Sequence, residues 1–344
     1  MACATPVVPD ERELILSTRP FAVEDRRASF RYLGTTLLAL SAAIALAVRL
    51  PWWPLKCGAS VLAGLLTVRM FILYHDHLHG ALLRSSAVGR AVLYAYGMLV
   101  LVPPRVWRET HNYHHAHTAK LVGSHVGSYA TVNLAIWGRM PRPARLLYRV
   151  QRHPLTILFG YVTIFMYGTC LSSFLRSPRK YWSSGFALVL QAALMALVLI
   201  TVGVRAYVFG MLVPLLVACA LGAYLFYAQH NYPGMHIQPR ESWSFTRAAL
   251  ESSSYMPLGP VMRWFTGNIG YHHVHHMNPS IPFYRLPEAM AAIPALQRPR
   301  RTTLRVRDVW ATFRQNIWDE HEGRMITYAE ANARGDRSSL PSLA

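Results

Sequence analysis

Eleven of the sixteen histidines in this 344-residue chain fall within three short windows. The first reads His75-Asp76-His77-Leu78-His79, the second His111-Asn112-Tyr113-His114-His115-Ala116-His117, and the third His272-His273-Val274-His275-His276. Within each window the spacing is helical. His75 and His79 stand at i, i+4; His111, His114 and His115 at i, i+3, i+4; and His272, His275 and His276 repeat that pattern. Positions so spaced share one helix face, so each window can aim two or three imidazoles at one point. His77, His117 and His273 fall off that face and are assigned orienting or surface roles. Imidazole suits borderline metals such as iron, zinc and copper. Eight rings exceed what one tetrahedral or octahedral ion accepts, so the pattern implies two ions. His230, in Gln229-His230-Asn231-Tyr232, is a further candidate ligand. His125, His153, His236 and His321 stand alone and read as structural.

Other chemistries lack their residues. There is no ExxH pair of the carboxylate-bridged helical bundles, no HExxH, Walker loop or GxGxxG, and no GxSxG. The four cysteines, Cys3, Cys57, Cys170 and Cys219, form no CxxC, which excludes an iron–sulfur or zinc-ribbon site built from this chain alone. Lys plus Arg number 35 against 16 Asp plus Glu, a formal net charge of +19. No nucleic-acid-binding motif accompanies that charge, so nucleic acid is not an expected partner.

The elements that must position the histidines are apolar. Hydrophobic residues make up 53% of the chain and charged ones 15%, which excludes a disordered polymer. Uncharged runs are long enough to cross a bilayer. The run 32–48 ends at Pro51-Trp52-Trp53-Pro54, whose indoles suit a membrane interface. The run 55–74 carries only Lys56 and Arg69, both placed to snorkel. The run 91–102 is short and ends at Pro103-Pro104, as an interfacial or buried helix would. Runs 153–175, 181–204 and 206–228 are uncharged, the last two separated by Arg205. Residues 1–31 are polar and lack a signal-peptide pattern.

A parity argument reduces these runs to four spans. His79 and His111 meet only if an even number of spans separates them. His115 and His230 meet only if one of the three long runs between them does not cross. The run 153–175 is chosen, because it opens with His-Pro and contains Gly160, Gly168, Ser172 and Ser173. The expectation is an all-α integral membrane protein with four transmembrane helices, at about 32–50, 55–74, 183–204 and 206–228, and a histidine-rich dimetal site at their cytoplasmic end. Residues 1–31 form a cytoplasmic segment, 32–290 the catalytic domain and 291–344 a basic cytoplasmic tail. The arginines at 26, 27, 31, 139, 142, 145, 149, 152, 176 and 179 and Lys180 put those segments on the cytoplasmic side. Arg298, Arg300, Arg301, Arg305 and Arg307 read as a solvated face near headgroups, or as a docking patch for an acidic redox partner.

The three boxes, HxxxH, HxxHH and HxxHH, resemble those of the membrane fatty acid desaturase family, specifically its acyl-lipid and bacterial branches, which include the Δ12 (omega-6) desaturases. The flanks are similar too: residues 266–270 (Thr-Gly-Asn-Ile-Gly), 278–286 and the Arg-His-Pro-Leu-Thr stretch from Arg152. The similarity covers roughly residues 30–290, and the chain differs at His77. The resemblance implies a cytoplasmic helical cap over the four spans and two iron ions held by His75, His79, His111, His114, His115, His230, His272, His275 and His276, with His230 matching the family's extra ligand. It implies O2-dependent insertion of a cis double bond into an acyl chain of a membrane lipid or acyl-CoA, with O2 reduced to water. No HPGG signature of cytochrome b5 is present, so electrons come from a separate ferredoxin or cytochrome b5. Asp76, Glu109 and Asn268 are expected to orient the ligands. A hydroxylase or ketolase would use the same boxes. A histidine-rich metal transporter is the reading from another class, disfavoured because the spans are nearly free of ionisable residues.

Overall fold

The computed structural model describes residues 10–121 and 126–338; Cys3, His125 and the serine-containing terminus 339–344 lie outside the described residues. Among the described residues, four helices are long and apolar enough to cross a membrane: Arg26–Arg49, Trp53–His79, Trp182–Thr201 and Val204–Gln229. The first begins where the Asp25 carboxylate accepts from the backbone N–H groups of Arg27 and Ala28, an N-cap that satisfies two orphan donors. The second stops at Gly80, whose φ of 76° turns the chain immediately after His79.

The second span is the axis of the molecule. Two-thirds of its apolar window is buried, against 17–28% for the other three. A Cβ on Gly64 would lie 2.6 Å from Val217, so glycine is what lets the fourth span close onto the second. Ser60 Oγ seals that contact by donating to the Phe209 carbonyl at 2.7 Å. The outer spans present Leu38, Val189 and Ile200 outwards, which carries no penalty where the solvent is hydrocarbon.

All four spans have one end on the same face. Glu24 and Arg26, at the start of the first, bond to Leu83 N–H (2.6 Å) and Ser85 Oγ (3.2 Å), just beyond His79. Tyr181, at the start of the third, donates to Glu109 (2.9 Å) in the second-box helix. The fourth ends beside His230. The run 91–102 lies in an elbow, helices Ala87–Leu99 and Pro104–Ala116 meeting at 89°. Tyr96 and Tyr74 fasten it to the second span through Tyr96 Oη to the Thr67 carbonyl (2.7 Å) and Tyr74 Oη to the Val102 carbonyl (2.6 Å). The run 153–175 becomes helix Pro154–Leu158, a wide-turn helix Tyr161–Leu171 and helix Ser172–Arg176. Arg152 before it bonds to Asn231, and Lys180 after it sits 2.7 Å from Glu109. Both flanks therefore sit at the histidine face, and Leu155, Leu158, Phe159 and Tyr167 project towards lipid.

One expectation is corrected. Arg69 does not snorkel: it is 3% exposed, 4.0 Å from the centre of the Trp264 ring, and donates to the Trp264 carbonyl. The short helix Pro260–Phe265 reaches it before the interface does. The segment after 290 carries two short strands. Strand β1 (Val132–Asn133) pairs in parallel with β2 (Ile317–Asp319), which pairs antiparallel with β3 (Arg324–Ile326). The tail thus braces the middle of the chain, and Trp137, Tyr148, Ile317 and Ile326 form a small core beneath it.

Candidate metal centre

The first box ends the second span, the second box occupies Pro104–Ala116, and the third is a single short helix, His272–Met277. The nine rings meet in one buried cluster. Single ring nitrogens of His75, His79, His111, His115 and His275 all lie within 4.8 Å of one another, and those of His114, His230 and His276 form a second such group. His272 Nε2 joins the second group at 2.8 Å from His230 Nε2.

Nitrogen separations test whether metals fit. Nε2–Nε2 distances are 2.9 Å for His75–His111, 3.2 Å for His111–His115, 3.2 Å for His115–His275 and 3.0 Å for His114–His230. Two ligands at right angles, each about 2.0–2.1 Å from an ion, stand about 3 Å apart. His79 Nε2 and His276 Nε2 are buried with no hydrogen-bond partner among the described residues, an arrangement that is costly unless something else takes the lone pair. The donor set fits two imidazole-bound ions.

Three rings are oriented by their other nitrogen. His75 Nδ1 donates to Asp76 Oδ1 at 3.0 Å, and Asp76 Oδ2 accepts from the Phe283 N–H at 2.7 Å. His230 Nδ1 donates to the Ser252 carbonyl at 3.1 Å. Thr118 Oγ1 donates to the His114 carbonyl at 2.8 Å and so accepts from His276 Nδ1 at 3.2 Å. Each contact fixes a tautomer that leaves Nε2 free for a metal. Burial pushes His230 down to about 4 and holds His111, His114, His115, His272, His275 and His276 well below the usual histidine range. The rings are therefore neutral at pH 7, the form that binds metal.

The three expected orienting residues fare differently. Asp76 touches a ring directly. Asn268, in a left-handed turn (φ 56°), donates to the Phe283 carbonyl at 3.0 Å and acts through that loop on Asp76. Glu109 is the correction: its carboxylate pairs with Lys180, Arg105 and Tyr181, facing away from the rings because it precedes His111 by only two positions. Thr118 and Ser252 were missed. Thr118 had a signal, lying four residues after His114 on the same face; Ser252 had none. The off-face rings bond to backbone instead: His77 to Leu82, His117 to Tyr113 and His273 to Leu296. His236 pairs with Glu251, His153 caps its own helix and His321 is exposed.

A cavity of about 790 Å³ opens from the cluster at His75, His111 and His272. Its walls come from the second and fourth spans, the elbow and the wide-turn helix. Thr67 and Leu215 line its far end; they lie eight residues from His75 and fifteen from His230, roughly 12 and 22 Å along their helices. Phe71, Val100, Ala218 and Gly222 make its middle apolar.

Comparison with known proteins shows the family. Residues 51–307 match the Fatty acid desaturase family. The chain is 28% identical over 274 residues to a fatty acid desaturase of Bacillus subtilis, spanning 78% of this chain and 76% of that one. It is 24% identical over 276 residues to an sn-1 oleoyl-lipid 12-desaturase of Synechocystis, spanning 79% and 78%. It is 26% identical over 319 residues to an acyl-lipid omega-3 desaturase (cytochrome b5) of the Arabidopsis thaliana endoplasmic reticulum, spanning 79% and 76%. With its three histidine boxes gathered at one end of four membrane helices, the chain belongs to the fatty acid desaturase family.

Proposed function

We propose that the protein is an O2-dependent desaturase that places a cis double bond in a lipid acyl chain, drawing electrons from a separate ferredoxin or cytochrome b5 type donor. One observation carries the reading: the apolar cavity that starts at the box histidines and descends between the spans. His75, His79, His111, His115 and His275 would hold one iron, and His114, His230, His272 and His276 the other. Bound there, the iron pair supplies the oxidising power that cleaving an unactivated C–H bond demands. The chain does the rest. Asp76, Thr118 and Ser252 fix ring orientation, and the cavity walls exclude water and place one methylene opposite the cluster. Regiochemistry is then a matter of register, where an error of about 1 Å costs on the order of 100-fold. The basic clusters in the sequence favour a cytoplasmic site. The catalytic unit is placed at about residues 32–290, braced by the strands that follow.

The test is expression in a host without polyunsaturated lipids, followed by mass spectrometry of fatty acid methyl esters with double-bond localisation. A new product lighter by two hydrogens supports the reading. A product heavier by one oxygen makes the protein a hydroxylase. Metal uptake with unchanged lipids makes it a transporter.

A further inference from the structure

The cavity has a second polar feature besides the histidines. Arg152 lines it and is 4% exposed. Its Nη1 donates to the Ala130 carbonyl at 2.8 Å, and its Nη2 to the Gln315 carbonyl at 3.3 Å and to Asn231 Oδ1. Every acceptor is neutral, Nε is buried without a partner, and no carboxylate lies within 4 Å among the described residues. A guanidinium cannot shed its proton, so a full positive charge is held in the interior without a counter-charge, which is strongly unfavourable for an isolated ion. Tyr129 lines the same cavity, and its hydroxyl is likewise buried with no hydrogen-bond partner among the described residues. The other buried guanidinium among the described residues, Arg69, lines no part of this cavity and stacks closer on its ring, 4.0 Å from Trp264 against 5.1 and 5.2 Å for Arg152 on Tyr148 and Tyr227. Arg176 also lines the cavity but is exposed, so water serves it.

We propose that Arg152 and the Tyr129 hydroxyl bind an oxyanion at the polar end of the acyl substrate. The proposal rests on the acyl-chain reading above and deepens it. Guanidinium groups take carboxylate and phosphate oxygens in strong charge-assisted hydrogen bonds, so the oxyanion is either the carboxylate of a free acid or the phosphate of a phospholipid. Exposed Gln151, next to Arg152, and partly buried Thr156 line the cavity here, whereas Thr67 and Leu215 line its opposite end. The substrate would therefore lie with its oxygens at Arg152 and its methyl end between the second and fourth spans.

Trp107 lines the cavity, so tryptophan quenching by brominated chains reports occupancy without turnover. The probes are 9,10-dibromostearate, a dibromostearoyl lysophosphatidate and the uncharged methyl ester, added to the purified iron-loaded protein. The expected result is that at least one anion binds tenfold or more tighter than the ester, with the preferred anion identifying carboxylate or phosphate. Arg152→Gln should collapse that preference to within twofold while leaving ester binding unchanged. Tyr129→Phe, which removes a hydroxyl with no partner among the described residues, should narrow it about threefold to tenfold at full iron content and unaltered Tm. If wild type binds ester and anions equally, or if the variants weaken all three probes alike, Arg152 is only a clamp and the proposal falls. Should Arg152→Gln misfold, an unchanged preference in Tyr129→Phe overturns it. Failure of every probe to bind the wild type would overturn the acyl-chain reading itself.

Discussion

Helix Arg26–Arg49 has 24 residues, leaves Leu38 73% exposed and buries only 22% of its apolar window. Helix His272–Met277 has 6 residues, and every one is buried. The first is secured by the bilayer: length and hydrophobicity suffice, and its outward positions specify almost nothing. The second is far too short to hold together alone, since isolated helices below about 12–15 residues are marginal in water. Its neighbours hold it. Gln229 donates to the Ile269 carbonyl, Met256 N–H to the Gly270 carbonyl, and Asn268 ties the preceding turn to Phe283. The lipid sheath is tolerant and the histidine plane is over-determined, so mutations of similar size should differ greatly between them.

The largest effect is expected at the rings. His275→Ala or His114→Ala should lower turnover by more than about 100-fold, beyond what loss of a supporting partner alone causes, and reduce bound iron while membrane insertion persists. Full iron content and activity in either variant would break the contrast. Next comes Asp76→Asn. Both Asp76 oxygens accept hydrogen bonds and an amide supplies only one acceptor, so iron affinity or activity should fall about 10- to 100-fold. Gly222→Leu sharpens the comparison inside the sheath itself. A Cβ there meets nothing within 4 Å, and the residue lines the cavity, so leucine should fill the slot without straining the fold. Turnover of an 18-carbon chain should drop about 10- to 100-fold, with iron content and Tm unchanged. The smallest effect is expected from Glu109→Gln and Leu38→Ala. One loses an exposed ion pair and the other faces lipid, so activity should stay within about twofold, as most exposed substitutions do. A large loss at Glu109 would restore it to the ring-orienting role that its contacts deny it.

The same periodicity that grouped the ring histidines argues against Glu109, which is two positions from His111 and five from His114. Its i, i+4 neighbour Arg105 was the legible partner. Asp76 was legible because adjacency to His75 lets a short carboxylate reach back to Nδ1. Arg69 was misjudged because hydropathy sees a cation ten residues from a helix end, while the contact that buries it, Trp264, is 195 residues away. The strands after residue 316 escaped notice for a related reason: each has three residues, too few for alternation to show, and their pairing partner lies near residue 132.

Local and one-dimensional features were settled by the chain itself. Apolar run lengths must match a bilayer, helical spacing fixes which rings share a face, and parity of crossings limits how many runs can span if the rings are to share one end. Only the three-dimensional structure decided which ring nitrogens group together, which side chains orient them, where the cavity runs and why Arg152 faces it. Those outcomes depend on contacts between residues far apart in sequence, such as Asp76 with Phe283 and Thr118 with His276, and the energy of such a contact is written in neither partner's local sequence.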